Sequence, residues 1–414
     1  AAPGDDPYLD ASTVSATIAT ATGGNFESLQ IDPAAASTSV SDDSDATTVT
    51  LTATPSVAEG GSIVYTATLS NAAQTPVTVT LSSGETITVA AGATSSSVTI
   101  AAPADDVYVD AGSVSRTLAS ATGGNFESLT VNPAAVTTTV TDTIDTTTVS
   151  ITGDAVVAEG ATASYTVSLT SAAQTAVTVN LSYSGTALDG TDFSGVATVT
   201  IAAGASSANL NIATLADVLA EGVENFTVAI ASAAGGNFEN LVVSAANGAQ
   251  TTAIVDDDTP ALSVSSPTVG EGGFAVFTVS LSNPSTTDMT FNPALASGSA
   301  TVGTDTATAL EYFDGATWLP VPVGGVTIAA GSTTVQVRVA TSDDFAAEGS
   351  ETFTLIASVT AGTTANASAT GTATITDDSD TATLALSASP SVAEGGSITY
   401  TATLTNAAVT PLTV

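Results

Sequence analysis

The run from Asp42 to Gly61 ties an acidic knot to a strand-like alternation of Thr, Val and Leu and ends in Glu-Gly-Gly. It returns almost unchanged from Asp377 to Gly396, and more loosely from Asp142 and from Asp256-Asp257-Asp258. The Glu-Gly pairs at Glu59, Glu159, Glu271 and Glu394 are separated by 100, 112 and 123 residues. Intervals of that length each bury a core of their own, whereas solenoid units of roughly 20 to 50 residues cannot. The chain therefore reads as domains in a row, with the acidic knots at the joints.

The boundaries that follow are 1–45, 46–145, 146–258, 259–380 and 381–414. Ala1 to Asp45 repeats Ala101 to Asp145, and Thr381 to Val414 repeats Ala46 to Val79. Both end segments thus match parts of a module, and the expectation is a window on a longer array.

Thr, Val, Ser and Ala alternate and are broken every 8 to 12 residues by Gly, Pro or Asn, the pattern of short half-buried strands, and helical periodicity is absent. The expected fold class is all-β: a tandem array of seven-stranded, immunoglobulin-like β-sandwiches. In 46–145 the strands fall near Thr48 to Ser56 (A), Ser62 to Ser70 (B), Val77 to Leu81 (C), Thr86 to Ala90 (D), Ser96 to Ala101 (E), Ser113 to Ser120 (F) and Val136 to Thr141 (G). Module 259–380 carries an insert, Glu311 to Leu319, expected to form an extra hairpin in which Tyr312, Phe313 and Trp318 pack.

The net charge is −38, from 40 acidic residues against Arg116 and Arg338 alone, with no Lys and no His. Nucleic acid is excluded as a partner, because phosphate contacts need cations. There is no Cys, hence no disulfide and no thiolate site. Without His, Cys or Lys, no imidazole base, thiolate or Schiff base can be assembled, which argues against an enzyme. No apolar run reaches the roughly 18 residues of a membrane span.

Only 10% of residues are charged, so the acids are clustered rather than spread. Antiparallel strands alternate in direction, which sends loops A-B, C-D and E-F to the end where strand G leaves. In 46–145 this gathers Glu59, Asp105, Asp106, Asp110, Asp142 and Asp145 at one tip. In 146–258 it gathers Glu159, Asp189, Asp192, Asp217, Glu221, Glu224, Asp256, Asp257 and Asp258. In 259–380 it gathers Glu271, Asp305, Asp343, Asp344, Glu348, Glu351, Asp377, Asp378 and Asp380. The end segments contribute Asp5, Asp6, Asp10, Asp42, Asp43, Asp45 and Glu394. Carboxylates about 4 Å apart repel by roughly 4 kcal/mol at an effective dielectric of 20, so such tips call for a bridging cation. All-oxygen ligands on flexible loops suit Ca²⁺. The opposing view makes these acids solvated loop residues that keep the array soluble.

At the opposite tip, facing the exit end of the preceding module, the sequence Gly-Gly-Asn-Phe-Glu occurs at Gly23 to Glu27, Gly123 to Glu127 and Gly235 to Glu239. It reads as a turn with Phe as loop anchor and Glu as a rim residue.

The modules beginning at Thr146 and Thr259 resemble Calx-β domains. The pattern is met in 146–258 by Glu159, Asp192, Asp217, Glu221, Glu224 and Asp256 to Asp258. Module 46–145, with Asp105-Asp106-Val107-Tyr108-Val109-Asp110 and Ala121 to Leu129, resembles the extender repeats of giant bacterial RTX adhesins. It lacks the Asp-rich C-D loop and the Glu-Gly-x-Glu run. The resemblance implies Ca²⁺ bound at the tips, with neighbouring modules of one longer chain as partners. It also implies secretion to the bacterial cell surface and a spacer role in adhesion and biofilm formation. Two alternatives stand beside it: a glycan- or protein-binding module using the aromatic hairpin of 259–380, and a subunit of a surface layer or filament.

Overall fold

The computed structural model describes residues 2, 4–408 and 410–414, and every regular element among them is a β-strand. Strand Ser62–Leu69 shows why: Ile63, Tyr65, Ala67 and Leu69 are buried while the residues between them face outward. Each such apolar side chain of Val or Leu size contributes about 1.5–3 kcal/mol on leaving water, and only a strand turns that period-two pattern to one face. The same alternation builds three separate cores, around Tyr65, around Phe193 and Phe226, and around Phe277 and Phe353.

The second sandwich is the most regular. One sheet runs in the order Phe193–Ser194, Ser207–Thr214, Thr162–Leu169, Thr146–Gly153, Asn240–Val243. The other runs Val156–Ala158, Ala249–Val255, Glu224–Gly235, Val177–Gly185, Thr198–Ile201. Strand A is thus two strands: Thr146–Gly153 lies in one sheet, and Val156–Ala158 crosses to pair in parallel with the exit strand Ala249–Val255. The first sandwich makes the same crossing at Pro55 and the third at Pro267, where a residue without an N–H ends one ladder before the next begins.

Two elements differ from the sequence expectation. After the Gly-Gly-Asn-Phe-Glu turns at Gly123 and Gly235 a short strand, Ser128–Val131 or Asn240–Val243, pairs in parallel with the start of strand A. Strand F of the first sandwich is interrupted at Thr117 into Gly112–Arg116 and Leu118–Gly123, which splits its sheet into two three-stranded pieces.

The expected hairpin of the third sandwich is present. Glu311–Phe313 pairs with Trp318–Pro320 and also with Thr334–Ala340, extending that sheet to five strands. Tyr312 packs toward the core, while Phe313 and Trp318 are only half-buried. In the end segments, Ser12–Ala16 pairs with Ala36–Val40, and Leu384–Ala388 with Tyr400–Leu404.

Candidate metal centres at the joints

The Glu-Gly pair is what brings the first carboxylate to the joint. Gly60, Gly160 and Gly272 have φ of 66°, 70° and 65°, a region that strains any residue with a Cβ. That turn lets the N–H of the preceding Glu donate to the last residues of strand G: Glu59 to Thr141 O (3.1 Å), Glu159 to Val255 O (3.0 Å) and Glu271 to Thr376 O (3.2 Å). The exit acids follow immediately in sequence. Loop A-B, loop E-F and the exit therefore converge, as strand parity requires.

The convergence yields five groups whose carboxylate oxygens lie within 4.8 Å of one another: Asp5, Asp43 and Asp45; Glu59, Asp142 and Glu239; Glu159, Asp217 and Asp258; Asp192, Glu221 and Glu224; Glu271, Asp343 and Asp378. Around them stand further acids named from the sequence. Asp110 and Asp106 face Glu59, and Asp105 accepts the Thr143 hydroxyl. Asp305, Asp344 and Glu348 surround Glu351, and Asp377 and Asp380 flank Asp378.

Several predicted ligands also accept backbone N–H groups, Asp192 and Asp217 of the groups among them. Asp106 accepts from Tyr108 N (2.8 Å), Asp6 from Tyr8 N (3.0 Å), Asp344 from Ala346 N (2.7 Å), and Asp189 from Gly195 N (2.7 Å). Asp42 ties Asp10 N and Ala11 N, and Asp256 holds Glu221 N, Gly222 N and Asp258 N. Asp257 and Glu394 are exposed and belong to none of the groups, and Asp145 enters through its N–H rather than its carboxylate.

The crowding is visible in proton affinity. The Glu59 carboxyl is pushed from 4.5 up to about 7, chiefly by sharing a proton with Asp110, then by burial and by the charges of Asp110, Asp142 and Asp106. Glu224 also rises to about 7, through burial and then Asp192. Burial raises Glu159, Glu221, Glu271, Glu351 and Asp258 too, each with neighbouring carboxylates adding to it, while Asp43 raises Asp5.

Glu239 corrects the sequence expectation of a rim residue. It belongs to the second sandwich, yet its Oε2 accepts the Asp145 N–H at 2.6 Å beside Glu59 and Asp142 of the first. Its Oε1, Asp142 Oδ1 and Glu59 Oε2 are all buried without a hydrogen-bond partner, and Glu59 is 6% exposed. Three carboxylates with oxygens within 4.8 Å of one another, each also keeping a buried oxygen without a partner, are a donor set that fits a hard cation.

What carries Glu239 across is the Gly-Gly-Asn-Phe-Glu turn. Asn237 sits at φ 61° after two glycines, and a Cβ on Gly235 would run into Ala176 O. The turn lies along loop E-F of the first sandwich: Val109 N donates to Asn237 O (3.0 Å), and Glu239 N to Val107 O (3.1 Å). Tyr108 stacks on Phe238 and donates its hydroxyl to Ala172 O at 2.5 Å. The preceding joint repeats this set, with Tyr8 on Phe126, Leu9 N to Asn125 O (3.0 Å) and Asp45 N to Glu127 Oε2 (2.7 Å).

The joint between the second and third sandwiches is built otherwise. Ala220 forms a parallel bridge with Ser285, exchanging bonds with Pro284 O and Thr286 N (both 2.9 Å), and Asn283 Nδ2 donates to Asp258 O at 2.5 Å. No acid of the third sandwich enters the groups there among the described residues.

Tandem all-β sandwiches joined through acidic tips define the class, and the family matches agree. Residues 1–43, 45–143, 145–259 and 380–414 match the LapA domain, and residues 256–379 match the Calx-beta domain. The chain belongs to the LapA domain family, repeats of large adhesins, with one Calx-beta domain among them. No curated protein matches it. Among solved structures, CBD12 from CALX1.2 is 15% identical over 52% of this chain and 83% of its own, with a TM-score of 0.24. The apo-form Calx CBD1 domain is 18% identical over 28% of this chain and 98% of its own, at 0.22. The native E. coli alpha-2-macroglobulin is 12% identical over 86% of this chain and 26% of its own, at 0.20.

Proposed function

We propose that this chain is a calcium-stiffened spacer segment of a large, secreted bacterial surface adhesin, holding a distal ligand-binding region away from the cell. The observation that carries this reading is the pairing of Glu59 and Asp142 with Glu239 across a joint, each with a buried oxygen left without a partner. An ion held there ties two sandwiches together. Without it the same carboxylates repel, and the joint samples many angles. Ca²⁺ is the cation of choice because every donor is oxygen and loop-borne, and affinity near the 10⁻⁴ to 10⁻³ M typical of extracellular modules is expected, roughly. The absence of His, Cys and Lys supports a structural rather than a catalytic role.

Small-angle scattering of the 414-residue chain, with Ca²⁺ and then with excess chelator, tests this. The maximum dimension should fall on chelation while the β-sheet circular dichroism largely survives. Identical scattering profiles in the two conditions would leave the acids as solubility features and reject the stiffening role.

A further inference from the structure

The hairpin of the third sandwich is more than the sandwich needs. In the second sandwich the corresponding sheet edge is closed by Phe193–Ser194 alone. Here Glu311–Phe313 and Trp318–Pro320 extend it, and an ion pair, two cation–π contacts and an aromatic pair hold them in place. Glu311 and Arg338 form the one ion pair among the described residues, at 2.7 Å. The Arg338 guanidinium lies between two rings, 4.0 Å from the centre of Phe274 and 4.2 Å from that of Trp318. Trp318 in turn backs Phe313, with ring centres 5.4 Å apart. The outcome is a half-buried Phe313 ring backed by a chain of contacting side chains, Trp318, Arg338 and Phe274, the kind of support that a preformed binding site has.

Phe313 and Tyr312 are among the residues lining a cleft of about 620 Å³. That lies within the roughly 300–1,000 Å³ usual for small-molecule sites. The lining also offers hydroxyls and an amide, among them Thr278, Thr327, Thr334 and Gln336, the last two on the strand beside Glu311–Phe313. One charged residue, Asp314, borders it, and its Oδ1 is already engaged by Ala316 N (2.8 Å) and Thr317 N (2.7 Å).

In a chain of net charge −38, this concave surface carries a single charge, the Asp314 carboxylate, and its lining is otherwise neutral, which narrows the ligand class. Polyanions are repelled by the surrounding field, and a cation finds one carboxylate, half of it already engaged by backbone N–H groups, too few donors for a hard metal ion. A macromolecular partner would need a broader face of about 1,000 Å² or more. A pyranose ring has what the cleft lacks: an apolar, weakly positive C–H face to lie on an aromatic ring, and neutral hydroxyls to pair with Thr and Gln. We propose that this cleft binds a neutral hexose-based glycan, stacked on Phe313 and hydrogen-bonded by Thr334 and Gln336. The third sandwich would then be a contact point along the spacer and not only a unit of its length.

The test is saturation-transfer NMR and calorimetry on the 414-residue chain with maltoheptaose, mannohexaose and galactohexaose, and with a heparin hexasaccharide as the anionic control. At least one uncharged oligosaccharide should bind, in Ca²⁺ and in chelator alike. Phe313→Ala and Gln336→Ala should each weaken that binding about tenfold or more. Gln336 is exposed on its strand, so Gln336→Ala should keep the wild-type melting temperature, and it maintains the test if Phe313→Ala perturbs the hairpin. Binding of none of the three uncharged probes, binding of the heparin fragment alone, or undiminished binding by both variants would each overturn the proposal.

Discussion

The Tyr108 ring lies 5.5 Å from the Phe238 ring at an interplanar angle of 23°, and the two residues belong to different sandwiches. The stack holds loop E-F against the Gly-Gly-Asn-Phe-Glu turn, and Glu239, the residue after Phe238, reaches the carboxylates of the first sandwich as a result. Aromatic stacking and acid clustering are therefore two parts of one joint. Replacing Tyr108 by Ala removes the stack and the bond to Ala172 O, a loss of about 0.5–1.5 kcal/mol beyond burial. The expected result is a bent or mobile joint in small-angle scattering even in Ca²⁺, with a small drop in melting confined to the second sandwich, against whose core Tyr108 packs. An undiminished maximum dimension would show that the stack does not fix the angle.

Glu239→Gln separates the two roles of that carboxylate. In the metal-free chain the substitution removes one of three crowded charges, so stability should rise slightly. In Ca²⁺ it removes a ligand, so affinity at this joint should drop by about tenfold or more. Calorimetry and melting curves in both conditions read the two effects, and a variant that melts lower than wild type without metal contradicts the crowding.

The raised carboxyls fix the sign of the pH response. Glu59 and Glu224 titrate near 7 in the folded chain against 4.5 unfolded, so between those values the folded state holds more protons. Stability of the metal-stripped chain should accordingly be greatest toward pH 4.5, fall as pH rises to about 7, and level off above it. Ca²⁺ competes with those protons, so its binding at pH 7 should release protons into the buffer. Thermal midpoints measured across this window without metal check the slope, and a midpoint that climbs with pH runs against it.

Trp318 is the single tryptophan of the chain and reports on its own hairpin. Arg338→Ala removes the guanidinium that covers its ring and the ion pair to Glu311, both partly exposed. A red-shifted emission and a loss of about 1–2 kcal/mol in the third sandwich are expected. Unchanged emission would mean that Arg338 does not hold the hairpin.

Much of this architecture is legible in local pattern. Strands Val77–Leu81 and Val136–Thr141 fall where alternation places them, because burial on one face imposes a period of two. Strand parity alone brings Glu59 toward Asp142. What stays hidden is set by distant partners. Ser128–Val131 is a strand only because it meets Ala46–Val49, and nothing in its own four residues demands that. Glu239 meets Asp145 across 94 positions, so its composition suggests a rim while its neighbours make it part of the joint. Asp106 and Asp256 err in the other direction, since a short carboxylate is readily satisfied by N–H groups a residue or two onward or across a turn.

The crossing of strand A has a mechanical consequence. Ser56–Ala58 runs parallel to Val136–Thr141, with Ser56 opposite Thr139 and Ala58 opposite Thr141, and the same arrangement joins Val156–Ala158 to Ala249–Val255 and Thr268–Gly270 to Ser368–Thr376. In each sandwich the first of these strands follows directly on the entering half of strand A, and the second is the strand through which the chain leaves. Tension along the molecule thus drags the two past each other lengthwise, loading their hydrogen bonds in shear and together, not peeling them open one at a time. Each unit therefore resists a pull applied between its entering and leaving strands better than one that peels its sheets apart.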